Sequence, residues 1–234
     1  MSSLVLERIF AKENFETMKK FLVLGVLFLL PITAYIFFAS GVNNFAKLPV
    51  LTEQIDELSN FKSLHGDSIQ LQNKITVLGF LGSNLMDKQG NAFNLAHKIY
   101  KKNHAFHDFQ FVILLPEGTE TTAKLLEEKL ELIEEMEHWK FAFGSPEDIE
   151  SIFASMKTNL VLDNKKSTPY VFIIDKERNL RGRKDDEDLG VLYGFDARDV
   201  AELNNKMMDD VDIILAEYRL ALKKNNKYKA DREI

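Results

Sequence analysis

The chain contains no cysteine, and that one absence closes a whole branch of chemistry. Disulfides, thiolate metal sites, thioether attachment of haem and dithiol redox exchange all require a thiol. For the same reason the compartment cannot be read from cysteine usage. Cationic side chains are also in short supply: 30 Lys and Arg against 36 Asp and Glu give a formal charge of -6. A nucleic-acid binder needs a basic surplus to displace counterions from phosphates, so no nucleic-acid partner is expected. The sequence has no G-x-S-x-G nucleophile turn, no phosphate-cradling glycine loop and no H-E-x-x-H helix. Internal repeats are lacking as well.

What is present begins with an uncharged run over residues 21–40, FLVLGVLFLLPITAYIFFAS. At about 1.5 Å per residue, some 20 apolar residues span the ~30 Å hydrocarbon core of a bilayer. Pro31 is tolerable in a membrane helix if neighbouring groups satisfy the freed carbonyl. Lys19 and Lys20 precede the run and the next basic residue after it is Lys47. The positive-inside rule then sets the N-terminus in the cytoplasm and the rest of the chain outside. In a bacterium, which the short polar leader suggests, this means the inner membrane and a periplasmic domain. Cleavage near Ala39-Ser40-Gly41 is the competing reading. The expected organisation is a cytoplasmic segment at 1–20, the membrane helix at 21–40, a linker at 41–50, one α/β domain at 51–223 and a basic tail at 224–234. Segment 1–20 is either an amphipathic helix on the inner leaflet or a mobile tail.

Strands alternate with helices through the domain. Apolar, β-branched runs at 74–81 and 109–115 read as strands buried on both faces. Shorter strands are expected at 68–71, 139–143 and 169–175. Helical spacing covers 91–102 and 121–137, and a third helix starts at Ser145-Pro146-Glu147-Asp148, a capping serine followed by proline at the first helical position. Asp196 is expected to cap a last long helix carrying Leu203, Met207, Val211 and Ile214. The polar tail KKNNKYKADR is expected to be disordered.

The segments KITVLGFLGS at 74–83, WKFAFGSPEDIESIF at 139–153 and STPYVFIIDKERNLRG at 167–182 resemble the Sco family, the membrane-anchored copper chaperones of cytochrome c oxidase assembly. The resemblance runs from about residue 48 to the last helix. It implies a thioredoxin-like fold, a central mixed sheet flanked by helices, preceded by the single membrane helix. It also implies a copper site built from two cysteines spaced C-x-x-x-C after the first central strand and from a distal histidine. Those positions fall on Ser83, Asp87 and Ser167 here, and oxygen ligands are poor substitutes for thiolates towards Cu(I).

Other constellations carry weaker signals. His104 and His107 form an H-x-x-H pair, and Met86 lies near the family's metal position, so these three are the candidate substitute ligands. The alternatives are a solvated loop and a core-filling methionine. The run Asp185, Asp186, Glu187, Asp188 lacks the spacing of a calcium loop; it reads as a solvated turn, or as a surface for a basic partner. The acidic face at 127–137 reads as a solvated helix side. No catalysis and no cofactor are assigned. The expected role is a non-redox interaction or assembly module with a protein partner, such as a respiratory complex or its assembly factors. The other readings are a copper carrier using Met86, His104 and His107, and an enzyme with a site near Ser83 and Asp87.

Overall fold

The structure is a computed structural model that describes the backbone of residues 3–39 and 47–230 and side chains over 18–37 and 47–221. Most of the expected linker and the last four residues of the tail lie outside the described residues. The chain divides into two units, Met1–Phe45 and Ala46–Ile234.

The first unit is one helix, α1, Ser3–Ala39, so the leader at 3–20 continues the same helix instead of forming a separate element. Within it, Met18–Phe37 is a 20-residue window of mean hydropathy 2.1 with none of it buried. Phe21, Leu27 and Tyr35 are 70%, 64% and 74% exposed. A helix apolar on every side has no aqueous face to offer, which fits a membrane anchor. The helix passes through Pro31, and the Thr33 hydroxyl donates to the carbonyls of Leu29 (2.9 Å) and Leu30 (3.0 Å). That leaves the hydroxyl satisfied inside an apolar span.

The second unit is built on a mixed sheet. Its strands are β1 Val50–Thr52, β2 Lys62–Ser63, β3 Ile75–Leu81, β4 Phe109–Pro116, β5 Trp139–Gly144, β6 Ser167–Ile174, β7 Leu180–Arg181 and β10 Phe195–Asp196, with β8 Arg183–Asp186 and β9 Gly190–Leu192 forming a separate hairpin. The order is β1-β7-β6-β3-β4-β5-β2, and β10 also pairs with β6. β3, β4 and β5 run parallel, and β6 lies antiparallel to β3. Every residue of β3 and β4 is buried, as expected of strands covered on both faces.

The helices follow from the handedness of the crossovers. α2 (89–103, with a wider π turn at Ala96–Tyr100) joins β3 to β4, and α3 (Glu120–Leu130) joins β4 to β5. Two right-handed steps in one direction put both helices on the same face. There they meet α5 (200–230) in a core of Leu95, Ile99, Leu126, Phe111, Trp139, Met207 and Val211. The return from β5 to β6 through α4 (Pro146–Ser155) lies on the other face, where Ile149, Ile152 and Met156 pack on Phe80, Val112 and Phe172. The α4 start is as the sequence indicates: Asp148 N donates to Ser145 Oγ over 3.0 Å, with Pro146 in the first turn.

Several expectations are corrected. No strand forms at 68–71, because the Glu57 carboxylate takes the amides of Leu71 (2.7 Å) and Gln72 (3.0 Å) and shapes a turn there. α3 stops at Leu130, and Leu132, expected on its apolar side, is 87% exposed. Asp199, not Asp196, caps α5 by accepting from Ala201 N and Glu202 N, since Asp196 belongs to β10. The backbone at 224–230 is helical, continuing Met208–Ala230, where a disordered tail was expected.

Candidate functional site

β3 delivers the chain to the middle of the sheet's upper end, where the parallel strands finish and antiparallel β6 begins. Leu81 stands opposite Ser167 in the register. Gly82 then turns with φ +66°, and a Cβ there would lie 2.3 Å from Lys165 O and 2.7 Å from Ser167 Cβ. Only glycine fits such a left-handed, close approach. The next amide, Ser83 N, donates to Lys165 O over 3.0 Å, so the loop after β3 and the loop before β6 are joined through their backbones.

Ser83 and Asp87 both face solvent. Between them Leu85 is fully buried, which pins the short 3₁₀ turn Leu85–Lys88. Asp87 accepts from Asn84 Nδ2 over 3.0 Å. Ser167 is the opposite case: it is 2% exposed, and its hydroxyl donates to Asp163 Oδ2 over 2.7 Å. The structure thus brings the Gly82-Ser83 backbone against Ser167 and leaves Asp87 on the rim.

The organising group is Asp163, which sequence reasoning missed. Its Oδ1 accepts the amides of Lys165 and Ser167, both at 2.9 Å. Its Oδ2 takes Ser167 Oγ and, at 3.1 Å, Lys88 Nζ from the turn after β3. Burial alone raises the Asp163 pKa, but the Ser167 hydroxyl, the amides and Lys88 outweigh it and hold the carboxyl well below the ordinary range. A lone Asp four residues before a strand's first Ser is an Asx-turn signal, and that was the available clue. A depressed native pKa stabilises above the unfolded value of about 4 and is lost as pH falls through the native value. Because the side chain is about half exposed, Asp163→Asn is expected to cost about 1 kcal/mol at pH 7, with the deficit shrinking below about pH 4. Urea midpoints measured from pH 3 to 7 check this, and a deficit independent of pH contradicts it.

Neither histidine of the H-x-x-H pair reaches this end of the sheet. His104 and His107 precede β4, whose first residue Phe109 pairs with Ile75, the first residue of β3. The seven residues of β3 separate them from Ser83 by about 20 Å. His104 is half-buried, with Nδ1 3.0 Å from Lys101 O, and the exposed His107 ring stands 6.3 Å from that of His138. Met86 is half-buried at the far end, so Met86, His104 and His107 do not make one site. Among the described residues, no three His, Asp or Glu side chains are grouped to hold a metal ion.

The acidic run resolves into a structured hairpin. The Asp186 carboxylate is buried, and Lys206 Nζ bonds its oxygens at 2.9 and 2.8 Å and Asp188 at 2.7 Å. Asp185 and Glu187 remain exposed. The acidic face at 127–137 is not wholly solvated either: Glu127 is 8% exposed and bonded to His65 Nε2 at 2.9 and 3.0 Å.

No protein-family model matches the chain, and no curated protein sequence does. Solved structures do match. BsSco, described as a member of the Sco family of cytochrome c oxidase assembly proteins, is 13% identical with a TM-score of 0.50, covering 72% of this chain and 96% of that one. A SCO1/SenC family lipoprotein from Bacillus anthracis is 16% identical with a TM-score of 0.46, over 77% and 99% of the two chains. A putative protein disulfide isomerase from Bacteroides thetaiotaomicron is 12% identical with a TM-score of 0.49, over 73% and 95%. The likeness to BsSco is one of fold: the chain has a thioredoxin-like fold.

Proposed function

We propose that this chain is a membrane-tethered docking module: a thioredoxin-like domain without redox or copper chemistry that binds protein partners during assembly of a membrane complex, a respiratory complex foremost. The observation that supports this most is the Asp163 knot. Where a Sco-type domain would place two thiolates and a histidine, this chain has Ser83, Asp87 and a Ser167 hydroxyl already committed to Asp163. Four donors converge on that one carboxylate. A site occupied by its own side chains has a structural job, and the remaining use of such a domain is its surface. The cytochrome c oxidase assembly role in the BsSco description gives the reading its respiratory direction. The exposed Asp185 and Glu187 suit a basic partner surface. In the same reading α1 lies in a bacterial inner membrane with Lys19 and Lys20 on the cytoplasmic side and the domain in the periplasm.

Crosslinking in intact membranes, followed by identification of the captured proteins, tests the proposal. Respiratory subunits or their assembly factors are the expected catch. Normal oxidase activity in cells lacking the chain, together with capture of unrelated proteins alone, argues against the respiratory part. Titration with Cu(I) and Cu(II) is expected to give no binding tighter than about micromolar; tighter binding overturns the non-metal reading.

A further inference from the structure

A cleft of about 300 Å³ opens at the end of the sheet opposite the Asp163 knot, where Ile75 and Phe109 begin β3 and β4. The loop before β4 forms one wall and α5 the other, with Phe106 on the first and Tyr218 and Arg219 on the second. Ile75, Phe109 and Leu215 make a floor that belongs to the core. The rings of Phe106 and Tyr218 are only half-buried, so apolar surface stands open to water inside a concavity of ligand size. Covering such surface is favourable.

The charge around this apolar interior does not balance. His107, Asp108, Lys176 and Arg219 line the cleft. The Asp108 carboxylate is answered twice, by Lys176 Nζ bonded to Oδ2 and by Lys74 Nζ at 3.9 Å from Oδ1. The Lys176 hydrogen bond, opposed by partial burial, holds that carboxyl below its ordinary range. Glu177, which accepts the Tyr218 hydroxyl, does not line the cleft. Lys74, Lys176 and Arg219 thus share one carboxylate, and a protonated His107 adds a fourth cation.

Arg219 carries the surplus. Its guanidinium makes no hydrogen bond or ion pair among the described residues and lies over the Phe106 ring, 4.9 Å from the centroid. Contact with the ring restrains the group beside the cleft, while its five N–H donors stay unused by the protein. The side chain is exposed, so an occupant reaches those donors without any rearrangement of the core.

Two conditions select the occupant. A cation meets Lys176 and Arg219 and is repelled. An uncharged apolar molecule leaves the guanidinium unused, inorganic phosphate leaves the apolar walls wet, and a polyphosphate brings more negative charge than one unanswered cation matches. A carboxylate on a compact apolar body meets both conditions, because its two oxygens fit the forked guanidinium donors. We infer that this cleft binds a compact apolar carboxylate, an aryl or branched alkyl acid, either free or as the C-terminal residue of a polypeptide. The inference goes beyond the docking role and does not depend on it.

Calorimetry on the full chain in a non-ionic detergent tests this with 3-phenylpropionate as the probe. Saturable binding is expected at a dissociation constant of about 0.1 mM. 3-Phenylpropanamide, which lacks the charge, and propionate, which lacks the ring, should each bind at least about tenfold more weakly. Arg219→Gln is expected to weaken the acid about tenfold. Lys124→Gln, the loss of an exposed cation on α3, should leave it within about twofold. Phe106→Ala, checked for fold by circular dichroism, should weaken it by about threefold or more. N-acetyl-Ala-Phe with a free carboxylate separates the sources. If it binds as tightly as the free acid, the natural ligand is a chain terminus; if only the free acid binds, it is a small molecule. No saturation by either acid below about 5 mM, an amide as tight as the acid, or equal effects of Arg219→Gln and Lys124→Gln overturns the inference. Those failures leave the docking reading untouched, since that reading stands or falls on what crosslinking in membranes captures.

Discussion

Replacing Arg181 with leucine is expected to destabilise the folded domain by about 3–5 kcal/mol, the cost of breaking a buried ion pair from one side. The guanidinium is 6% exposed and its partner Asp175 is 1% exposed. Three groups converge on it: Leu48 O accepts from Nε at 2.7 Å, Asp175 Oδ2 from Nη1 at 3.0 Å and Glu217 Oε2 from Nη2 at 2.6 Å. Leucine fills the space but leaves the buried Asp175 without its cation, while Glu217 keeps only Lys47, 3.8 Å away. Against a total stability of about 5–15 kcal/mol, that loss moves the urea midpoint far down. Adding Asp175→Asn should cost much less than a second independent insult, since the orphaned charge is the main penalty. A loss under about 1 kcal/mol for Arg181→Leu would mean that water reaches the pair readily.

Gly82→Ala is the second large effect, expected at about 2–5 kcal/mol. The positive φ costs an L-residue about 1–2 kcal/mol, and forcing a methyl into a closed space adds about 1–3 kcal/mol. The obstacle is backbone, Lys165 O at 2.3 Å, and cannot swing aside like a side chain. Relief requires breaking the Ser83 to Lys165 bond and parting the two loops that Asp163 ties together. Gly90 is the internal control: it sits in α2 with nothing within 4 Å of a Cβ. Alanine there is expected to be stabilising by about 0.5–1 kcal/mol. Denaturant midpoints of the two variants on the same preparation compare them directly, and equal behaviour would show that Gly82 is not strained.

The difference between what the sequence disclosed and what it hid is one of length and locality. β3 and β4 are seven and eight residues long and buried throughout, so their apolar runs announced them. The start of α4 was legible because its cap, proline and acids lie within four consecutive residues. β1, β2, β7 and β10 have two or three residues each, too few for any periodicity; they exist because a longer neighbour offers its edge. The false strand at 68–71 failed through Glu57, fourteen residues upstream, a contact no local window contains. At the candidate site, Ser83, Asp87 and Ser167 were found by position in the resembled segments. Asp163 and Lys88, 75 residues apart, were not, because what joins them is the antiparallel return of β6 beside β3. The pairing of Glu127 with His65 escaped for a related reason. Glu127 belongs to an acidic stretch that reads as solvated until the loop carrying His65 folds over it.

The way the chain enters its folded body has a mechanical consequence. Leu48 is buried, 4% exposed, and its carbonyl rests on Arg181. Next to it, Pro49 O accepts Gly182 N at 3.1 Å, and Val50 pairs with Arg181. Tension arriving from upstream therefore lands on one guanidinium that also grips the C-terminal helix through Glu217. The leash is knotted where three elements meet, so a tug is shared among them before any single strand can peel away.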